Sequence, residues 1–136
     1  MTHLRLRIYT NPGSLEIFML IPQRDGNDKR LTAIIHTGAQ ISLLPQALMD
    51  VLEYRTLGYG SLFLEQAGIP SLGFEATEAI VRLALEDELG VQTAKFEAPV
   101  WFAGTNYVLL RFQGVLDRAV LHLDMPNLSG YLDITL

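Results

Sequence analysis

The stretch Leu31-Thr32-Ala33-Ile34-Ile35-His36-Thr37-Gly38-Ala39-Gln40-Ile41-Ser42-Leu43-Leu44-Pro45 decides how the rest of the chain is read. Leu31 to Ile35 is a short apolar run rich in β-branched residues, the pattern of a strand. His36-Thr37-Gly38-Ala39 interrupts that run, and Ile41 to Leu44 resumes it. A strand that ends this way holds one side chain, His36, in a fixed position at the edge of the core. Gly38 permits a tight turn and the close approach of another backbone segment. The Thr37 hydroxyl is placed to bond a neighbouring backbone group and lock the loop. Ala39 is small enough to leave the site open. Pro45 can open a helix at its first position, and Ala47, Leu48, Val51 and Leu52 fall at helical spacing, which predicts one short helix through about Glu53.

Working outward, short strands dominate. Leu4, Leu6 and Ile8 alternate with Arg5, Arg7 and Tyr9, the period of a half-buried strand. Asn11-Pro12-Gly13 is a turn, Leu15 to Ile21 a second strand, and Asp25-Gly26-Asn27 a hairpin turn. On the other side, Thr56 to Ser61 is glycine-rich, with Gly58 and Gly60 flanking Tyr59. A hairpin is expected next, with arms Leu62 to Gln66 and Gly73 to Thr77 and a turn at Ala67 to Ser71. Ile80 to Leu85 continues as strand, Glu86-Asp87-Glu88 reads as an acidic, solvated turn, and Lys95 to Phe102 is another strand. Gly104-Thr105-Asn106 turns into Tyr107 to Leu110, a short helical turn covers Gln113 to Arg118, and Val120 to Leu123 and Tyr131 to Thr135 are extended. Many short strands, one or two short helices and no linker or repeat predict a single all-β domain over residues 1–136, closed like a barrel.

Composition limits the chemistry. Of 136 residues 49% are hydrophobic and 18% charged, enough apolar content for a core and too little charge for a disordered chain. The net charge is −5 with Lys and Arg scattered, so no basic stripe exists to neutralise phosphates and nucleic acid is not an expected partner. The absence of cysteine removes disulfides, thiolate catalysis and Cys-based zinc sites. His3, His36 and His122 are far apart in sequence and form no HExxH pair, so neither a metal nor another cofactor is expected. Met1 to Thr10 lacks the apolar segment of a signal peptide, and runs such as Ile17 to Pro22 are too short to span a bilayer. These features predict no membrane segment and a cytoplasmic location.

The segment from Leu31 through Pro45 resembles the retropepsin-like family of aspartic peptidases, whose members carry Asp-Thr-Gly-Ala followed by an apolar run and a short helix. A second element resembles the same family in its bacterial form. Val108-Leu109-Leu110 supplies the apolar part that precedes a short helix, and Gly114-Val115-Leu116-Asp117-Arg118 followed by Val120-Leu121-His122-Leu123-Asp124 resembles that helix and the next strand. Together the resemblance covers roughly residues 4 to 124. Two departures stand out: His36 occupies the place of the catalytic aspartate, and Arg111 that of a glycine.

The resemblance implies an acid-protease closed barrel with one catalytic position per chain. Two copies would pair as a homodimer so that both positions meet on a two-fold axis. It further implies a catalytic loop of His36, Thr37 and Gly38, with Ala39, Tyr59 and Gly60 bordering a peptide or protein substrate. A flap hairpin would cover the cleft between Gly58 and Gly73, its tip at Gly58-Tyr59-Gly60 or at Ala67 to Ser71.

The family mechanism needs two carboxyl groups that share one proton, so that one is base and the other acid. A pair of imidazoles is neutral or positive where the dyad carries one negative charge, and its nitrogens lie elsewhere. The expected function is therefore a peptidase-like protein that is catalytically inactive, with a non-enzymatic peptide- or protein-binding module on the same fold as the alternative. A metal held by paired His36 residues has fewer ligands than the usual three or four, and the flanking Thr37-Gly38-Ala39 argues against a mere strand-end histidine in an unrelated β protein. His122 is expected to be structural, Trp101, Phe102 and Tyr107 core or interface, Asp117-Arg118 a local ion pair or solvated helix face, and Asp124 and Asp133 isolated carboxylates near turns.

Overall fold

A computed structural model of the chain describes residues 1–62 and 74–136, apart from the side chains of residues 58–62 and 74–75. The described residues are mostly strand. In chain order they form β1 (Thr2–Arg5), β2 (Arg7–Thr10), β3 (Gly13–Pro22), β4 (Asp28–Ile35), β5 (Ser42–Pro45), β6 (Arg55–Leu62), β7 (Phe74–Glu86), β8 (Phe96–Ala103), β9 (Leu109–Leu110), β10 (Ala119–Asp124) and β11 (Ser129–Ile134).

The long strand β3 organises the fold. It pairs antiparallel with β4 along its length, across the turn at Asp25-Gly26-Asn27, where Gly26 takes a φ of 91° that favours glycine. Its other edge is divided. Ser14 to Glu16 pair with β2, while Phe18, Met19 and Leu20 pair with β7. That second pairing joins the two ends of a sheet ordered β3-β4-β9-β5-β8-β7, which therefore closes on itself in a ring. Inward-facing residues alternate along each strand as a sheet with one buried face requires. Ile17, Met19 and Ile21 of β3, Val81, Leu83 and Leu85 of β7, and Ala98, Val100 and Phe102 of β8 meet in one core. Burying each large apolar side chain contributes about 1.5–3 kcal/mol.

A separate three-stranded sheet, ordered β1-β11-β10, lays Leu4, Leu132 and Ile134 on the same core. The alternation of the first ten residues thus serves two sheets. Leu6 lies between β1 and β2, buried, with its N–H donated to the Gly130 carbonyl at 2.9 Å.

Several expectations are corrected. The helix after Pro45 is only a 3₁₀ turn at Gln46–Asp50 with no buried residue. Pro45 is extended (φ −58°, ψ 133°) and pairs in parallel with Ala103, so sheet pairing claims Leu43 and Leu44 before a helix can start. The apolar spacing beyond it does not mark a helix face, since Val51 is exposed and Leu52 bridges to Gln23. The later helical turn is likewise 3₁₀ and confined to Leu116–Arg118.

The acidic turn is not a solvated loop. Asp87 is buried, and its carboxylate accepts the N–H groups of Leu89 and Val91 at 2.9 and 3.0 Å and that of Arg5 at 3.1 Å. It closes the β7–β8 turn and fastens β1 to it. Gly58-Tyr59-Gly60 is not a turn tip either, because these residues lie inside β6, opposite Glu78, Thr77 and Ala76. The β6–β7 hairpin begins earlier than expected, at Arg55, and the Ala67 to Ser71 tip falls outside the described residues. Among the described residues no helix is long and apolar enough to cross a membrane.

Candidate functional site

The β4–β5 loop, residues 36–41, is held by the backbone that follows β9. β4 runs parallel to β9, with Ile34 opposite Leu109 and Ile35 opposite Leu110. The ladder continues one residue into the loop, where the His36 N–H donates to the Leu110 carbonyl at 3.0 Å. At the far end the Gln113 N–H donates to the Gln40 carbonyl at 2.7 Å, and the Arg111 N–H donates to the Ser42 hydroxyl at 3.0 Å. Leu43 and Leu109 face each other beneath the loop in a small second cluster with Ala76 and Ala103. Two apolar pairs, Leu43-Leu44 and Leu109-Leu110, build this clasp. In each pair one residue enters the second cluster and its neighbour enters the main core.

Within the loop His36 is half-buried, and its Nδ1 is buried without a hydrogen-bond partner. A Cβ at position 38 would lie 3.0 Å from His36 Cε1, so glycine is what lets the imidazole lie against the turn. Thr37 and Gly38 are exposed, and Ala39 is half-buried. The Thr37 hydroxyl does not lock the loop as expected, because it makes no hydrogen bond among the described residues. The loop opens onto a pocket of about 330 Å³ lined by Thr37, Gly38, Ala39, Gln40, Trp101 and Phe112. Larger hollows, such as one of about 410 Å³ beside Arg24 and Tyr54, do not adjoin the loop. Trp101 and Phe112 give the loop pocket an apolar wall, while Phe102 belongs to the core and Tyr107 is exposed. Tyr59 and Gly60 pair with β7 through their backbones, and the Tyr59 side chain lies outside the described part of the chain.

Arg111 is the unexpected member of the site. It is fully buried, its Nη1 donates to the Ile41 carbonyl at 3.3 Å, and its Nε and Nη2 have no partner. It makes no ion pair among the described residues. Burial lowers its pKa to about 10. An uncompensated buried guanidinium is costly. In sequence, Arg111 stood out as a basic residue in the place of a glycine, inside the apolar run Val108-Leu109-Leu110-Arg111-Phe112, but nothing there showed that it would be buried.

A second polar cluster lies away from this loop, on the outer face of the three-stranded sheet. Asp133 is not an isolated carboxylate. His3 Nδ1 bonds its Oδ1, and His122 Nε2 lies 3.1 Å from its Oδ2. Tyr131 stacks on the His3 ring with centroids 4.3 Å apart. The bond from His3, aided by the attraction of His3 and His122, holds the Asp133 carboxyl below its ordinary range against the opposing effect of desolvation. The cluster depends on register: His3 is directly opposite Asp133, and His122 is opposite Tyr131. Spacing in sequence carries no trace of that register. Each imidazole addresses a different carboxylate oxygen, and no group of three or more candidate ligands is arranged to hold a metal ion among the described residues. Asp124 bonds Asn127 at 2.8 Å, and the Asp117 carboxylate accepts from the Gly114 N–H at 3.2 Å rather than from Arg118.

No protein-family model matches the chain, and no curated protein matches it.

Proposed function

We propose that the chain is a retropepsin-like peptidase scaffold in which His36 has replaced the dyad aspartate, so that it binds extended peptide segments without cleaving them efficiently. The observation that carries this reading is the clasped loop. His36 is anchored by its backbone to Leu110 at the end of a parallel strand pair, and the loop opens on a pocket walled by Trp101 and Phe112. This arrangement fixes the His36 backbone beside a pocket lined by the residues that follow it, where a ligand would lie along the loop. The exposed Thr37 hydroxyl is free to bond across to another backbone, which suits a loop that meets a second copy of itself.

The chemistry supports binding over hydrolysis. Peptide hydrolysis by a dyad requires an ionised carboxylate to take a proton from water and a protonated carboxyl to polarise the peptide carbonyl. The described part of the loop contains no carboxylate, and the neighbouring buried charge is the cation of Arg111. What remains suits an extended peptide held by strand addition with side chains in the apolar pocket.

The experiment is hydrolysis of peptides and denatured protein from about pH 3 to pH 8, the range over which carboxyl and imidazole groups titrate. The chain is compared with His36→Asp and with His36→Asp combined with Arg111→Gly. The expected result is peptide binding without turnover for the unchanged chain and cleavage only by an aspartate-bearing form. Efficient cleavage by the unchanged chain would overturn the assignment of an inactive site. Folded variants that neither cleave nor bind peptide would remove the peptidase scaffold reading altogether.

A further inference from the structure

Arg111 is a charge that the fold itself does not use. Its side chain is completely buried, and its Nη1 donates to the Ile41 carbonyl at 3.3 Å, a long bond. The loop does not depend on that bond. The His36 N–H, the Gln40 carbonyl and the Ser42 hydroxyl already hold it to the segment around and after β9. An apolar residue of similar size would fill the position at less cost.

The nitrogens left without partners are Nε and Nη2. They form a defined pair. Nη1 lies on the same side of the guanidinium as Cδ, whereas Nε and Nη2 direct parallel N–H groups along the opposite edge. That edge is one a carboxylate grips with both oxygens. Arg111 thus commits Nη1 to the loop and keeps a complete carboxylate-binding edge unoccupied. His36 Nδ1 is also buried and unpaired in this loop, and an imidazole can carry its proton there and donate it.

Neither arm of the clasp supplies a counter-charge. Residues 31–49, which run through β4, the loop and β5, contain no aspartate or glutamate. Residues 98–116, which run from β8 through β9 towards the second 3₁₀ turn, contain none either. The backbone on each side of the Arg111–Ile41 bond leads directly into the loop pocket. Gln40 precedes Ile41, Phe112 follows Arg111, and both are exposed residues of the pocket lining.

We propose that the peptide taken by this site carries a carboxylate, on an aspartate or glutamate side chain or at its own C-terminus, and that Arg111 selects it. This rests on the peptide-binding reading above and names the ligand class of the same site. The carboxylate occupies the Nε–Nη2 edge and supplies the charge that both arms lack. The edge is closed to solvent, so the exposed part of the pocket wall, at Thr37 and Gly38, gives way as the ligand enters. An amide of the same shape is rejected: it is uncharged, and its NH₂ would face one of the two N–H groups.

The test is calorimetric binding of apolar, N-acetylated octapeptides matched except for one group. One pair sets a single glutamate against glutamine with the C-terminus amidated. The other sets a free against an amidated C-terminus in the glutamine peptide. The unchanged chain is expected to bind the carboxylate member of at least one pair about tenfold more tightly or better. Whichever pair shows the preference tells a side-chain carboxylate from a terminal one. Arg111→Met removes the charge and keeps most of the length; it should lose the preference while binding the amide peptide as before. Arg111→Lys keeps the charge without the fork and should retain only part of the preference. Circular dichroism checks that each variant is folded, and the comparison on the unchanged chain needs no variant. Equal affinity for acid and amide in both pairs, or a preference that survives Arg111→Met, overturns the proposal and leaves peptide binding in place. If no peptide binds, the peptide reading falls, and the thermal shift produced by glutarate decides the rest. A shift that requires Arg111 keeps the carboxylate site, and its absence removes that site as well.

Discussion

The guanidinium of Arg111 donates to the carbonyl oxygen of Ile41 at 3.3 Å from a position with no exposure to solvent. That bond ties the loop to the strand beneath it, yet it satisfies one nitrogen of three. The loop is therefore fastened by a group that costs stability, while it is already secured by the backbone groups of His36 and Gln40 and by the Ser42 hydroxyl.

Replacing Arg111 by leucine removes the buried charge and keeps most of the apolar volume. The expected outcome is stabilisation of about 1–4 kcal/mol, because a buried charge without a partner costs more than an apolar side chain in its place. The sign with pH follows from the lowered pKa. Between about 10 and the higher ordinary arginine value the unfolded chain binds more protons than the folded one, so stability of the unchanged protein rises with pH there. Below about pH 10 the penalty is present in full. Urea unfolding of both forms at neutral pH and above pH 10 checks this: the advantage of Arg111→Leu should shrink at the higher pH.

Gly114→Ala is expected to destabilise the protein by about 2–4 kcal/mol, through backbone strain and overpacking together. Gly114 has a φ of +80°, and a Cβ there would lie 2.9 Å from Pro99 Cδ and 3.2 Å from Ala98 Cβ. The turn it makes connects the His36 clasp to the 3₁₀ turn at Leu116–Arg118, and the proline ring has little freedom to yield. Thermal unfolding measures the cost, and an unchanged melting temperature would contradict the strain assigned to this turn.

Asp133→Asn should flatten the acid limb of the stability profile. The carboxyl has its pKa lowered in the folded state, chiefly by the bond from His3. Its contribution is therefore present in full above the unfolded value, near the usual aspartate figure of about 3.9. It is lost as pH falls through the lower folded value. Unfolding midpoints of the two forms should differ near neutrality and converge in acid; parallel profiles would mean that the His3–Asp133–His122 cluster contributes nothing specific.

Much of the strand framework was legible in the sequence because its signals are local. Alternation over Leu4 to Ile8, the apolar runs of β3 and β4, and Asp25-Gly26-Asn27 between them each record a preference of a few adjacent residues. The loop at His36-Thr37-Gly38-Ala39 was legible for the same reason: an apolar strand is interrupted by small and polar residues and then resumed. The helix after Pro45 was misread because local spacing competed with a parallel strand partner, β8, more than fifty residues away. Asp87 was misread because a carboxylate in an acidic turn is solvated only if no backbone N–H groups converge on it, and here three do.

The sequence by itself determined an all-β chain with a distinctive strand-end loop, since periodicity, turn residues and the His36 segment act over short range. Only the tertiary structure decided how the ring closes, through the divided edge of β3. Among the described residues it also placed Arg111 without a counter-charge, brought His3 and His122 to one carboxylate, and left apolar side chains of β10 exposed. Each of these depends on register or burial between distant segments, and the free energy that sets them belongs to packing, which no short stretch of sequence contains.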